Sequence, residues 1–131
     1  MLETSQATLL ERALTANAWF SRFSGLALAV FSPWLADFAG VETWVLVLVG
    51  LCLIGYSLWL GAVAARRPTN RTEAMVAIAG DEAWVVAAIV IIFVFPDALT
   101  TGGKLVLGLT TIVVALFATA QVIGLRRPEA G

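Results

Sequence analysis

The chain has 131 residues, of which 60% belong to the AVILMFWYC set, 11 are glycine and only 13% are charged. Soluble domains carry roughly 25% charge, so a chain this apolar has too little polar surface to cover a globule. A soluble fold and an intrinsically disordered chain are both excluded, and one integral membrane domain over residues 1–131 is expected. The sequence has no histidine, which removes imidazole acid/base pairs, Ser-His triads and His-ligated haem or zinc. Its single cysteine, Cys52, allows no intramolecular disulfide, CxxC pair or cysteine-based metal site, so no cofactor is expected. The net charge of -1 gives no electrostatic reason to bind nucleic acid.

Four apolar stretches follow in chain order, at about residues 14–35, 43–65, 75–95 and 105–125. Each is as long as the roughly 20 residues a helix needs to cross hydrocarbon, and none has the strict alternation of a barrel strand. Backbone groups in lipid must pair within their own segment, so the expected fold is all-α, a polytopic bundle of four transmembrane helices. Residues 7–13 read as an amphipathic lead-in at the membrane surface. Across residues 1–13, Glu3, Glu11 and Arg12 leave no positive n-region, which argues against a signal peptide. Ser32-Pro33 marks the end of the first span, and Gly40 and Glu42 the first turn. The most polar link is Arg66 to Arg71, after which Asn70 or Thr72 is placed to cap the third helix. Pro96-Asp97 ends the third span, and Thr100-Thr101-Gly102-Gly103 precedes the fourth. Links this short make neighbouring helices antiparallel. No internal repeat is found.

Basic residues fall on alternate links. Arg12 precedes the first span, Arg66, Arg67 and Arg71 lie in the middle link, and Arg126 and Arg127 follow the fourth. Asp37 and Glu42 in the first link, and Asp97 in the third, sit at the other end, with Lys104 close behind. The positive-inside rule then puts both termini and the middle link in the cytoplasm. Trp34 and Trp44 suit the outer interface, Trp19 the inner end of the first helix, and Trp59 and Trp84 lie deeper.

Polar residues within the spans carry the most information, because each is costly in lipid. Asp81 is six residues past Met75, about 9 Å deep at 1.5 Å per residue. Gln121 lies about 6 Å from the same side, four residues before Leu125. Asn17 and Ser21 enter from that side as well. Asn17, Ser21, Ser24 and Leu28 share one helical stripe, and so do Asp81, Val85 and Ala88. Arg22 and Glu82 are each about 100° off those stripes, with Arg22 placed to pair with Glu82 or Asp81. Asn17, Ser21, Arg22, Asp81, Glu82 and Gln121 are therefore the candidate polar cluster. It reads either as a cytoplasm-facing binding pocket centred on Asp81, or as a hydrogen-bonded clamp between helices with one ion pair. Ser21/Gly25, Ser57/Gly61 and Ala83/Ala87 are small-xxx-small pairs, Gly50 and Gly55 permit close helix approach, and Cys52 reads as a small buried hydrophobe.

The segments Ala16-Asn17, Phe20-Ser21 and Ser24-Gly25, followed by Asp81 with Trp84 and Gln121 with Gly124, resemble the motifs of small uncharacterised four-helix bacterial integral membrane proteins. The resemblance spans nearly the whole chain and implies a bacterial inner-membrane bundle without implying an activity. The architecture is also similar to DoxX-like proteins, by analogy of fold. Small multidrug exporters, which are four-helix too, place a lone Glu in the first span; here Glu11 precedes it, and fluoride-channel-like motifs are missing.

Three functions compete. With no catalytic set and no soluble domain, the leading expectation is a non-catalytic accessory or scaffold subunit of a membrane complex, its partners being the bilayer and other subunits or copies of itself. The alternative is a homo-oligomeric small-solute or proton-coupled transporter or channel with its pocket at Asp81. A membrane enzyme acting on a lipid or quinone would have only Asp81, Glu82 and Arg22 for acid/base work.

Overall fold

The computed structural model describes residues 8–66 and 68–126, which are helical apart from short turns. Glu3, Ala7, Arg67 and Arg127, which entered the charge and lead-in patterns, lie outside them. Five α-helices follow in order: α1 (Leu9–Val30), α2 (Ser32–Ala39), α3 (Thr43–Ala65), α4 (Arg71–Val94) and α5 (Thr101–Arg126). A single 3₁₀ turn, Pro96–Ala98, separates the last two.

Each boundary has a local cause. Thr8 caps α1, its hydroxyl accepting from the Glu11 N–H at 3.1 Å. The expected first span, 14–35, is in fact two helices broken at Phe31. Pro33 has no N–H to give to the Ala29 carbonyl, and the Ser32 hydroxyl donates to that carbonyl instead, at 3.1 Å. Pro33 then sits in the first turn of α2, where a missing N–H costs nothing. Gly40 closes α2 in the left-handed region at φ 76°. Asn70, rather than Thr72, caps α4 by accepting from the Glu73 N–H at 3.0 Å. Thr100 begins α5: its Oγ1 accepts from the Gly103 N–H and donates to the Phe38 carbonyl, so α5 is tied to the end of α2. At the other end of α5, Arg71 donates to the Leu125 carbonyl at 2.9 Å, placing a cation on the last turn.

Helices α3, α4 and α5, with 23, 24 and 26 residues, are long and apolar enough to cross a membrane. Helix α1 has 22 residues and carries Glu11, Arg12 and Arg22. The outward surface is apolar: Phe93 is 77% exposed, Trp34 69% and Trp44 65%. Such a surface needs lipid against it, and the chain is a membrane protein.

α1 packs along α3 on one side and α5 on the other, and α4 packs on α5. Helices α3 and α4 face each other and touch only narrowly, where Tyr56 meets Ala77 and Asp81. The buried core gathers at the end that carries the 66–70 link, with Leu10, Leu14, Leu60, Val63, Ala74 and Ala77. The lead-in is part of this core and not a surface helix. Leu10, Glu11 and Ala13 are buried, and a Cβ on Gly124 would lie 2.7 Å from the Leu10 backbone nitrogen.

Backbones also approach closely between α1 and α3. A Cβ on Gly25 would stand 2.6 Å from the Gly50 carbonyl oxygen, and one on Gly50 would stand 2.7 Å from that of Gly25. Gly55 does not share this role, since nothing lies within 4 Å of its would-be Cβ. Cys52, expected to be buried, is exposed. Gly25→Ala should therefore force α1 from α3 and cost about 1–3 kcal/mol, the usual range for overpacking. Gly55→Ala should be neutral or stabilising by up to about 1 kcal/mol through helix propensity. Unfolding of both variants in mixed micelles checks this contrast, and equal effects would refute the packing role of Gly25.

Candidate functional site

Four helices converge on Asp81. It lies on the α4 stripe that also buries Ala74, Ala77 and Ala88. Its Oδ2 accepts from the Asn17 amide of α1 at 2.8 Å and from the Gln121 amide of α5 at 3.0 Å. Its Oδ1 lies 3.0 Å from the Tyr56 hydroxyl of α3. Asn17 gives its second N–H to Gln121 Oε1 at 3.0 Å, while its own carbonyl accepts from Ser21 at 3.3 Å. Asn17, Ser21, Asp81 and Gln121 are all at most 4% exposed, so the network is closed to solvent and to lipid.

The hydrogen count within it is informative. Tyr56 Oη is 3.0 Å from the Ala77 carbonyl as well as from Asp81 Oδ1. A phenol has one hydrogen, so it serves one acceptor fully. Both contacts become complete when Asp81 brings a hydrogen on Oδ1 and donates to Tyr56, which donates to Ala77. Oδ2 keeps both amide donors in that arrangement. Every polar atom of the carboxyl group is then used, and no buried charge is left in the hydrocarbon layer.

The structure thus brings together four of the six residues that the sequence marks, and it adds Tyr56. Arg22 and Glu82 stand apart. Arg22 makes no pair with either carboxylate: its Nε donates to Ser57 at 3.4 Å, and its guanidinium lies over the Trp19 ring, 4.9 Å from the centroid. That path carries the charge back along α1 to a polarisable face, as long cationic side chains do in lipid. Glu82 lies on the exposed face of α4, one position round from Asp81. Thr110, Thr111 and Thr119 do not join the cluster, because each hydroxyl bonds the carbonyl four residues back in α5.

Beside the cluster lies a cleft bounded by α3 and α4, with α1 and α5 behind it. Its inner chamber, about 420 Å³, has Asn17, Ser21, Tyr56 and Asp81 in its floor. Its outer chamber, about 520 Å³, is walled mostly by aliphatic side chains. The two chambers share Ser24, Val49, Leu53, Trp84 and Thr110. Trp84 lines both chambers and is half-buried, while its indole N–H is fully buried and has no acceptor among the described residues. Among the same residues no group of three or more His, Cys, Asp or Glu could hold a metal ion.

A variant series tests the count of hydrogens. In Asp81→Asn the new amide N–H₂ can donate to Tyr56 and the new carbonyl can accept from Asn17 and Gln121, so stability should change by no more than about 1 kcal/mol. Asp81→Leu strands two buried donors at about 1–3 kcal/mol each. Denaturant titration in micelles separates the outcomes, and an Asn variant as damaged as the Leu variant would show that Asp81 brings no hydrogen to the network.

Comparison of the chain with protein-family models, with curated proteins and with solved structures gives no match, so the reading of this site rests on its own geometry.

Proposed function

We propose that the chain is a non-catalytic accessory or scaffold subunit of a membrane complex. The observation that carries this reading is the saturation of Asp81. The Asp81 carboxyl group is spent on side chains from the three other long helices, which fixes their relative rotation and leaves no free acid or base within the cluster. In this reading α1 is the fourth membrane span, the four long helices form an antiparallel transmembrane bundle, and the membrane is the inner membrane of a bacterium. Both termini lie in the cytoplasm, on the side of Arg12, Arg66, Arg71 and Arg126. Ala79 and Ala83, small and exposed on α4, offer a surface that a neighbouring subunit's helix can approach closely.

One observation favours a second reading, transport of a small or proton-coupled solute by a homo-oligomer: the cleft has Asp81 in its floor. The two readings differ in what the protein associates with and in what Asp81 does. Native mass spectrometry of the tagged chain, mildly extracted from its own membrane, should return a defined mass that includes other subunits. A pure homo-oligomer or a monomer would overturn the accessory reading. Loss of a proton-coupled flux in Asp81→Asn would then establish transport.

The sidedness has its own check. In a Cys52→Ser background, Asp97→Cys should react with a membrane-impermeant maleimide in intact cells, and Thr72→Cys, at an exposed position in the first turn of α4, only after permeabilisation. The reverse pattern would invert the topology.

A further inference from the structure

We propose that the cleft between α3 and α4 is a binding site for a neutral, hydrocarbon-soluble molecule with a carbonyl-type oxygen, which enters sideways from the membrane and accepts a hydrogen bond from Trp84. Both chambers fall within the roughly 300–1,000 Å³ of ordinary ligand pockets. That is room for a ring system and the first part of a tail. The walls are almost entirely carbon, so a dissolved ion or a sugar finds no partners there. The rim is built from Leu48 and Cys52 on α3 and from Gly80 and Ala87 on α4, all exposed, so the opening faces the lipid-covered side of the molecule.

The polar atoms select the occupant. Asp81, Asn17 and Tyr56 are already bonded to one another, and they present a closed floor rather than a free charge. The group left unmatched is the Trp84 N–H, a donor that the ring keeps covered, so an occupant of the cleft reaches it as the indole turns toward the chamber. A buried donor without an acceptor is costly, and an acceptor oxygen supplied by a ligand removes that cost. Trp84 is 13 residues into the 24-residue α4, about 20 Å along its axis and so near mid-membrane. Phospholipid ester oxygens lie at the interface and their chains carry no acceptor, so an ordinary lipid chain can fill the cleft but cannot satisfy Trp84. A ketone or quinone-type oxygen on a molecule that dissolves in the hydrocarbon layer can do both.

The probe is a benzophenone bearing a decyl chain, which supplies such a carbonyl and cross-links on irradiation. Purified protein in phospholipid nanodiscs is irradiated at sub-saturating probe, and the adducts are located by peptide mass spectrometry. Adducts should fall within residues 48–53 of α3 and 84–91 of α4. Trp84→Phe, which keeps a ring but loses the donor, should lower this labelling about fivefold, the equivalent of one hydrogen bond. Ala87→Phe, which narrows the outer chamber from an exposed position, should abolish it with Trp84 intact. The same probe with CH₂ in place of the carbonyl should fail to compete.

Three results would overturn the proposal. Adducts spread over outward residues such as Phe93 and Leu116, unchanged in both variants, would mean ordinary lipid contact. Cleft adducts indifferent to Trp84→Phe would mean an apolar groove that reads no oxygen. A Cys52–Cys52 cross-linked dimer that excludes the probe would mean that a second copy covers the cleft.

Discussion

A carboxyl group in hydrocarbon must have all its polar atoms matched inside the protein, and the arrangement of the long helices follows from meeting that demand at Asp81. Three helices send one side chain each to the same group: Asn17 from α1, Tyr56 from α3 and Gln121 from α5. Because lipid tails are as apolar as leucine, burial alone does little to set the rotation of a helix in a membrane. Directional contacts can set it. Turning any one of these helices by a single residue, about 100°, would move its contributor off the carboxyl group. The same economy governs the remaining polar groups. The α5 threonines return their hydroxyls to their own helix, Ser32 takes the carbonyl that Pro33 cannot, and Arg22 folds back onto Trp19.

Packing then divides the molecule into a filled end and an open seam. At the end near the 66–70 link, Leu10 and Leu14 of α1 and Leu60 and Val63 of α3 close over the alanines of α4. That end is held further by the Arg66–Glu73 ion pair and by Arg71 on the last turn of α5. Further along, α1 and α3 cross at Gly25 and Gly50, where backbones touch without intervening side chains. Contact this close draws α3 toward α1. Helix α4 meanwhile follows α5, and the two outer helices separate above Tyr56.

Much of this was legible in the sequence, for physical reasons. Three of the apolar stretches correspond to helices of spanning length and character, because hydropathy is a property of the whole segment and survives errors at its ends. The meeting of Asn17, Ser21, Asp81 and Gln121 followed from depth and helical stripe, two quantities that spacing supplies directly. Tyr56 escaped the layer because its backbone lies deeper; only the length of the phenol arm brings its hydroxyl level with Asp81. Arg22 and Glu82 were drawn in by depth although their angular offset placed them elsewhere, and the angle prevailed. Cys52 was misplaced because, inside a uniformly apolar helix, residue type does not distinguish a core-facing position from a lipid-facing one. The break at Phe31 falls beside the Ser32-Pro33 signal, but the apolar run continues past it, so the sequence did not show that a separate short helix resumes at Ser32.

The open seam is a property of this sequence rather than a failure of packing. Small side chains between two helices usually bring them together, as the glycines do for α1 and α3. Along the edges of the cleft stand Cys52, Gly80 and Ala87, which are small too, yet α3 and α4 do not close on them. Closure is blocked from within. Tyr56 already spans from α3 to α4 at the inner end, with its hydroxyl near the would-be Cβ of Gly80, and Trp84 stands at the junction of the two chambers. Two large rings therefore act as spacers, while the small rim residues keep the entrance wide. A gap held open in this way, with an unmatched donor at its middle and a matched carboxyl group at its base, has the form of a receptacle for an apolar molecule. The saturated network also explains how such a receptacle can sit beside Asp81 without drawing in polar solutes, because both carboxyl oxygens are already engaged by Asn17, Gln121 and Tyr56.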